Sequence, residues 1–194
     1  IVPVPDSGVP AAIGYSEEVK KNIELGIIRN HYVGRTFIEP TQQIRSLGVK
    51  LKHSINKTLI KNKSLILIDD SLVRGTTSVK IIKMLYDAGA KEVHLRIASP
   101  PIKYPDYYGV DTPNQNELLA SKIDLEGMRK FINATTLKFL SLEGLYKSMG
   151  YKKRNPSYPQ FTDHCFTGEY PVKPIDARDK SFVDEQISFM SSKT

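Results

Sequence analysis

Apolar residues in the middle of the chain change their spacing from one segment to the next, which predicts alternating strands and helices. Residues 65–68 are four consecutive aliphatic residues, a run typical of a parallel strand that is covered on both faces. Residues 76–88 carry an apolar stripe at helical spacing that stops before Gly89, and residues 93–98 again favour a strand. The sequence therefore predicts a strand–loop–helix–strand unit with a right-handed crossover.

The same patterns extend less clearly toward both ends of the chain. Short strands are predicted at residues 1–4 and 23–28, and a helix at residues 10–21. Beyond Ser99 the pattern becomes helical and irregular, with helices predicted at residues 117–120, 125–132, 142–149 and 181–190. We expect an α/β fold, a doubly wound and mostly parallel sheet with helices on both faces. This domain would cover residues 1–150, and an irregular helical tail over residues 151–194 would pack on it.

The balance of charges indicates an anionic partner. The chain has 194 residues and a net charge of +7, and many of its basic residues fall between Lys20 and Lys63. A small polyphosphate explains this charge as well as a nucleic acid does, and an ordinary solvated basic face remains an alternative. Basic stripes with interleaved stacking aromatics are not evident, so we expect no nucleic-acid partner. No apolar run reaches the length of a membrane helix, so we expect no membrane partner.

The terminus and the single cysteine add two expectations. The chain opens on an apolar strand without a polar lead-in, which leads us to expect further residues before Ile1. Cys165 is the one cysteine among the 194 residues, so no internal disulfide is possible. That composition fits a reducing cytoplasm.

Candidate chemistry follows the best-predicted strand directly. Asp69 and Asp70 come at its carboxyl end, where ligands bind in open α/β sheets. Backbone amides after Gly75, together with the hydroxyls of the neighbouring serine and threonines, would cradle a phosphate at the start of the next helix. Neither a Walker A string nor a dinucleotide-binding glycine string is present. The alternative is that the acids merely end a strand; the combination instead predicts a ribose 5-phosphate site.

Residues 65–77 resemble the motif with which type I phosphoribosyltransferases bind 5-phosphoribosyl-1-pyrophosphate (PRPP). The resemblance implies a type I phosphoribosyltransferase fold and Mg²⁺ as cofactor, placed by Ser7, Asp69 and Asp70. It implies substrate binding by Asp6, Ser7, Gly8, Asp69, Asp70, Ser71, Val73, Arg74, Gly75, Thr76 and Thr77. In the loop of residues 5–9, backbone amides would form an anion nest for pyrophosphate.

Four further stretches, residues 2–8, 30–38, 103–111 and 165–171, resemble the glutamine-dependent amidotransferases of this family. That resemblance implies a glutaminase domain, missing upstream, that passes ammonia to the domain described by this sequence. There the ammonia would react with PRPP to give 5-phosphoribosylamine and pyrophosphate, the start of purine synthesis. Expected partners are PRPP, ammonia from glutamine, feedback purine nucleotides and further copies of the chain in a homo-oligomer.

Residues 29–53 resemble the mobile flap of these amidotransferases. Catalytic cations would be Arg29, Arg35 and Lys52, and the ammonia passage would be lined by Tyr32, Ile38 and Leu118. A flap of this kind favours an enzyme over the alternative that we keep, a PRPP- or nucleotide-sensing regulator on the same fold.

Some members of the family carry an iron–sulfur cluster on four cysteines. Two of those positions fall on Asp106 and Thr162 in this sequence, which leaves Cys165 alone. One thiolate does not hold a cluster that needs about four ligands. We therefore expect no iron–sulfur cluster.

Overall fold

A four-stranded parallel sheet forms the centre of the protein. The structure is a computed structural model that describes residues 1–30, 53–110, 112 and 114–172. Its strands are β1 (Val2–Pro3), β2 (Ile27–Arg29), β3 (His53–Ile55), β4 (Ser64–Asp69), β5 (Glu92–Ile97) and β6 (Thr136–Phe139). The main sheet has the order β1-β4-β5-β6, and every pairing in it is parallel. β2 and β3 form a separate antiparallel pair.

Helices follow most of the strands. They are α1 (Val9–Val19), α2 (Lys57–Ile60), α3 (Thr76–Asp87), α4 (Leu119–Lys122), α5 (Leu125–Phe131), α6 (Leu142–Ser148) and α7 (His164–Thr167), with a 3₁₀ turn at Gln115–Glu117. None of the helices in the described ranges is long and apolar enough to cross a membrane. The predicted α/β class, a parallel sheet flanked by helices, is confirmed.

The aliphatic run in β4 is covered on both faces, as its composition predicts. Leu67 and Ile68 point to opposite faces of the sheet and are 1% and 2% exposed. Along β5 the buried residues alternate with half-buried polar ones, so this strand is covered mainly on the face that carries Leu95. β4 is consequently a well-covered strand inside the sheet, and the loop that leads to α3 begins at its carboxyl end.

α3 closes the predicted crossover between β4 and β5. Ile81, Ile82 and Leu85 form its buried stripe and contribute to the main hydrophobic core. The helix stops at Gly89, whose φ of +93° is in the left-handed region that favours glycine. The Gly89 carbonyl then accepts a hydrogen bond from the Asn62 amide at 2.8 Å, which fixes the helix end beside β4.

Two sequence predictions are corrected here. The region beyond Ser99 is not only helical, because Thr136–Phe139 forms the edge strand β6. Leu137 is its one buried residue, so the apolar alternation that marks a strand is almost absent. The strand predicted at residues 23–28 is limited to Ile27–Arg29, and it pairs with β3 outside the main sheet. The helix predicted at residues 181–190 lies outside the described residues.

A buried carboxylate ties the tail to the domain. Asp163 is 3% exposed, and its Oδ2 accepts hydrogen bonds from Tyr146 Oη at 2.8 Å and Arg154 Nε at 2.5 Å. Burial opposes ionisation of Asp163, but these hydrogen bonds and the charge of Arg154 outweigh it and hold its pKa below the usual value. The described part of the tail therefore packs on α6 through a charged group with its hydrogen bonds satisfied.

Replacing Asp163 with alanine should strongly destabilise the tail. The change leaves the Arg154 guanidinium, whose side chain is 14% exposed, without its buried partner. Loss of one partner of a buried pair costs about 3–5 kcal/mol. Denaturant unfolding measures this loss. The matched control is Glu169→Ala, which removes the exposed second partner of the same arginine and should cost less than about 1 kcal/mol. Equal losses for the two variants would contradict the assignment.

Candidate functional site

The carboxyl ends of β1 and β4 meet at one edge of the sheet. The two strands are parallel neighbours, with Val2 beside Leu67 and Pro3 beside Ile68. The pairing continues past β1, because the Val4 amide donates to the Ile68 carbonyl at 2.8 Å. The loop after β1 and the loop after β4 therefore lie side by side, at the place where open α/β sheets bind ligands.

The loop after β1 contains a glycine that contacts β4 directly. A Cβ on Gly8 would collide with the Ile68 carbonyl oxygen and would lie 2.9 Å from the Val4 oxygen. The Gly8 amide donates to Val4 at 2.8 Å, and the Val9 amide donates to Asp6 at 3.2 Å. These two amides therefore donate within the turn and are not free to bind an anion. An anion nest in this loop would have to use its other backbone amides. Glycine is required at position 8 because the backbone of β4 leaves no room for a side chain.

The loop after β4 starts with a buried carboxyl group. Asp69 is 7% exposed; its Oδ1 accepts from the Asp70 amide at 3.0 Å, and the nearby Ser7 side chain favours its charged form, less strongly than burial opposes it. Burial, and then the adjacent charge of Asp70, raises the pKa of Asp69 to about 8. The structure thus brings Ser7, Asp69 and Asp70 together, and burial favours the protonated form of Asp69 at neutral pH.

The start of α3 provides donors for an anion. Asp70 is exposed, and its Oδ1 accepts from the Ser71 amide at 2.7 Å, which shapes the turn. Gly75 precedes the helix with a φ of +76°, and no side chain caps the helix there. The first amides of a helix have no intrahelical acceptor, and the helix dipole adds positive potential. Thr76 and Thr77 are exposed beside them, so this end of a twelve-residue helix matches the predicted phosphate cradle.

Two loop residues predicted to bind substrate contact a different part of the chain. The Val73 carbonyl accepts from the Leu119 amide at 2.9 Å. The Arg74 side chain forms an ion pair with Glu117, with Nη2 2.8 Å from Oε2. Sequence reasoning missed Glu117, and its only sequence cue is its position next to Leu118. Leu118 itself is completely buried.

The described part of the predicted flap begins beside the first loop. Arg29 forms an ion pair with Asp6 through Nη1. Its Nε is buried and has no hydrogen-bond partner among the residues that the structure describes. A donor therefore remains next to the loop predicted to bind pyrophosphate. Four of the predicted residues lie outside the described ranges: Arg35, Lys52, Tyr32 and Ile38.

The donor set suits a hard cation that also binds substrate oxygens. Within the described ranges, no group of three or more histidine, cysteine, aspartate or glutamate residues could hold a metal ion. The two carboxyl groups and the Ser7 hydroxyl offer oxygen donors only. Mg²⁺ commonly binds through one or two carboxylates, substrate phosphates and water, so these residues fit it without forming a complete protein cage.

The structure describes both positions, Asp106 and Thr162, that the resemblance matches to cluster cysteines. Asp106 Oδ2 lies 2.8 Å from the Nε2 atom of the buried residue His164, and Thr162 is exposed. Cys165 is half-buried, and burial raises the pKa of its thiol. The absence of a cluster stays a prediction.

Comparison with known proteins identifies relatives over almost the whole chain. No protein-family model matches it. It is 56% identical over 193 residues to an amidophosphoribosyltransferase of Rhizobium etli, which covers 99% of this chain and 39% of the relative. It is 49% identical over 170 residues to the Bacillus subtilis amidophosphoribosyltransferase, covering 88% of this chain and 36% of that one.

The solved structures agree. A glutamine PRPP amidotransferase from B. subtilis, complexed with ADP and GMP, superimposes with a TM-score of 0.76 at 49% identity, over 88% of this chain and 37% of the other. The chain is homologous to the C-terminal, phosphoribosyltransferase region of the amidophosphoribosyltransferases. It has the type I phosphoribosyltransferase fold, as its motif predicts. It spans about two fifths of the length of its R. etli relative.

Replacing Asp69 with asparagine should change how stability depends on pH. An aspartate with a raised folded-state pKa binds its proton more tightly when folded, so its contribution to stability is lost as pH rises. The free energy of unfolding of the unmodified chain should fall by a few kcal/mol between about pH 4 and pH 8. The Asp69→Asn variant should lack that fall, whereas the exposed control Asp87→Asn should keep it. Denaturant unfolding across this range tests the expectation; parallel curves for all three proteins would refute it.

Proposed function

We propose that this chain carries the phosphoribosyl-transfer site of an amidophosphoribosyltransferase, where ammonia displaces pyrophosphate from PRPP. The observation that carries the proposal is the meeting of two loops at one sheet edge. The Val4 amide, which leads into the first loop, donates to the Ile68 carbonyl at 2.8 Å, and this places Ser7 near the buried Asp69 of the second loop; the uncapped start of α3 follows a few residues further on. The relatives' shared name, amidophosphoribosyltransferase, supports the same activity.

The two ends of the substrate would occupy the two loops. The 5-phosphate suits the start of α3, where amides, the hydroxyls of Thr76 and Thr77 and the helix dipole all favour an anion. The ribose hydroxyls suit the carboxyl groups of Asp69 and Asp70, which lie just before that helix. The pyrophosphate then falls toward the loop of residues 5–8, where Arg29 is already held by Asp6.

The reaction needs positioning more than a protein nucleophile. The lone pair of ammonia forms a bond to C1 of the ribose, while the bond from C1 to the pyrophosphate oxygen breaks and that oxygen keeps the electron pair. The attacking nitrogen then loses one proton, and the products are 5-phosphoribosylamine and pyrophosphate. Arg29, with Arg35 and Lys52 by resemblance, would balance the growing negative charge on the leaving group.

Mg²⁺ is part of this proposal. When bound, the ion offsets the negative charge of the departing pyrophosphate. Ser7, Asp69 and Asp70 would hold it together with substrate oxygens. The neutral state favoured for Asp69 keeps two adjacent acids from repelling each other before substrate and cation arrive.

We propose further that purine nucleotides bind this chain as feedback ligands. The support is chemical and comparative: a nucleotide monophosphate presents the same ribose 5-phosphate group as PRPP, and the B. subtilis relative was solved with ADP and GMP. A homo-oligomer and a cytoplasmic location remain predictions from sequence.

Removing both carboxylates should weaken PRPP binding without unfolding the chain. Hydrogen bonds to charged groups contribute about 1.5–3 kcal/mol each, so Asp69→Asn with Asp70→Asn should lower affinity by about tenfold or more. Calorimetric titration with PRPP and Mg²⁺ measures this, and a thermal melt confirms folding. The double change Asp87→Asn with Glu143→Gln, which removes two exposed carboxylates on other helices, is the matched control. Unchanged affinity in the first variant would contradict the proposed site.

Turnover should depend on free ammonia. The single cysteine, Cys165, sits in the tail with a raised pKa and is not suited to attack glutamine. Pyrophosphate release by the 194-residue chain should therefore need PRPP, Mg²⁺ and an ammonium salt, and glutamine should not replace the salt. Glutamine-supported release, or retention on RNA without any turnover, would count against the proposal.

A further inference from the structure

We propose that Glu117 is a positioning residue for the phosphate loop, and that Arg74 acts as a brace for this loop instead of a phosphate ligand. The inference rests on the proposed function and refines it. Arg74 Nε donates to Glu117 Oε2 at 2.8 Å, and Nη2 lies 2.8 Å from the same oxygen. The Nε and Nη2 edge is one of the two edges through which a guanidinium binds a phosphate with two parallel hydrogen bonds, and here Glu117 already occupies it.

Three consecutive loop residues contact the segment 117–119. Val73 accepts the Leu119 amide at 2.9 Å, and Arg74 pairs with Glu117. Gly75 packs so closely that a Cβ on it would lie 2.8 Å from Leu119 Cδ2. A backbone bond, an ion pair and a packing contact thus fix one short stretch of the loop. That stretch leads directly into the first amides of α3.

The supporting segment is itself well held. Leu118 is completely buried, and the Ser121 hydroxyl donates to its carbonyl at 2.8 Å. The Glu117 backbone amide donates to Asn114 at 2.7 Å, which forms the 3₁₀ turn. Because the base of this contact is rigid, the ion pair transmits its position to the loop.

Charge supports the same role. A guanidinium beside a carboxylate forms a nearly neutral pair, which attracts a phosphate far less than a free arginine does. Both side chains are about half exposed, at 54% and 51%, so the pair adds little to the stability of the fold. Its effect should therefore appear in ligand affinity and be almost absent from thermal unfolding.

A double-mutant cycle separates the brace from a direct phosphate contact. The readout is the Kd for PRPP with Mg²⁺ in Glu117→Gln, Arg74→Gln and the double variant. The brace predicts that each single change raises Kd about two- to fivefold and that the double variant is no worse. The matched control is Glu143→Gln, which breaks an exposed 2.8 Å pair with Lys147 away from the loops and should leave Kd unchanged.

Exchange of the two residues gives a rescue test. Arg74→Glu with Glu117→Arg rebuilds the ion pair in reverse, and a brace predicts recovery of most of the lost affinity. If Arg74 instead binds the phosphate directly, the exchanged pair should not rescue binding. Glu117→Gln should then bind PRPP more tightly, and Arg74→Gln should lose far more affinity than fivefold. Either that pattern or a Kd unchanged in every variant would overturn the inference. If the unmodified chain fails to bind PRPP, the proposed function fails first and this inference falls with it.

Discussion

The parallel pairing of β1 with β4 is the constraint on which the rest of the site depends. One backbone hydrogen bond of 2.8 Å, from Val4 to Ile68, extends that pairing beyond the end of β1. It brings the following loop so close to β4 that Gly8 has no room for a side chain. The two loops then share one edge of the sheet, and Ser7 and Asp69 lie near each other across it. Substitutions that separate these strands would dismantle the site without touching a functional side chain.

Most of the charged side chains described at that edge already have internal partners. Two adjacent acids end β4, and burial raises the pKa of the first of them, Asp69, to about 8. The cation Arg29 is held by Asp6, and Arg74 is held by Glu117. The charges are therefore largely neutralised by internal partners before a ligand arrives. An incoming polyphosphate with its cation would replace some of these partners, and the braces that remain would keep the loop geometry fixed.

Local sequence patterns predicted the centre of the molecule and missed its edges. The run at residues 65–68 is a strand with three of its four residues buried, and the stripe that follows it is a helix that stops before Gly89. The edge strand β6 was missed because Leu137 is its one buried residue. The brace between Arg74 and Glu117 was missed for a different reason: the partners are 43 residues apart, and no local pattern reports a pairing of that range. The tail bond between His164 and Asp106, 58 residues apart, was missed for the same reason.

The most direct test of this account is a titration of the amide signals of residues 76–78 by nuclear magnetic resonance, with ribose 5-phosphate as the probe. This probe lacks pyrophosphate, so it isolates the phosphate cradle from the leaving-group loop. The account predicts that the amides at the start of α3 shift the most and saturate together, and that amides around Lys20, Lys21 and Lys63 shift little. These lysines border a separate cavity of about 390 Å³ near the amino ends of β1 and β4. Shifts confined to that lysine-lined cavity, with the start of α3 unmoved, would contradict the central claim.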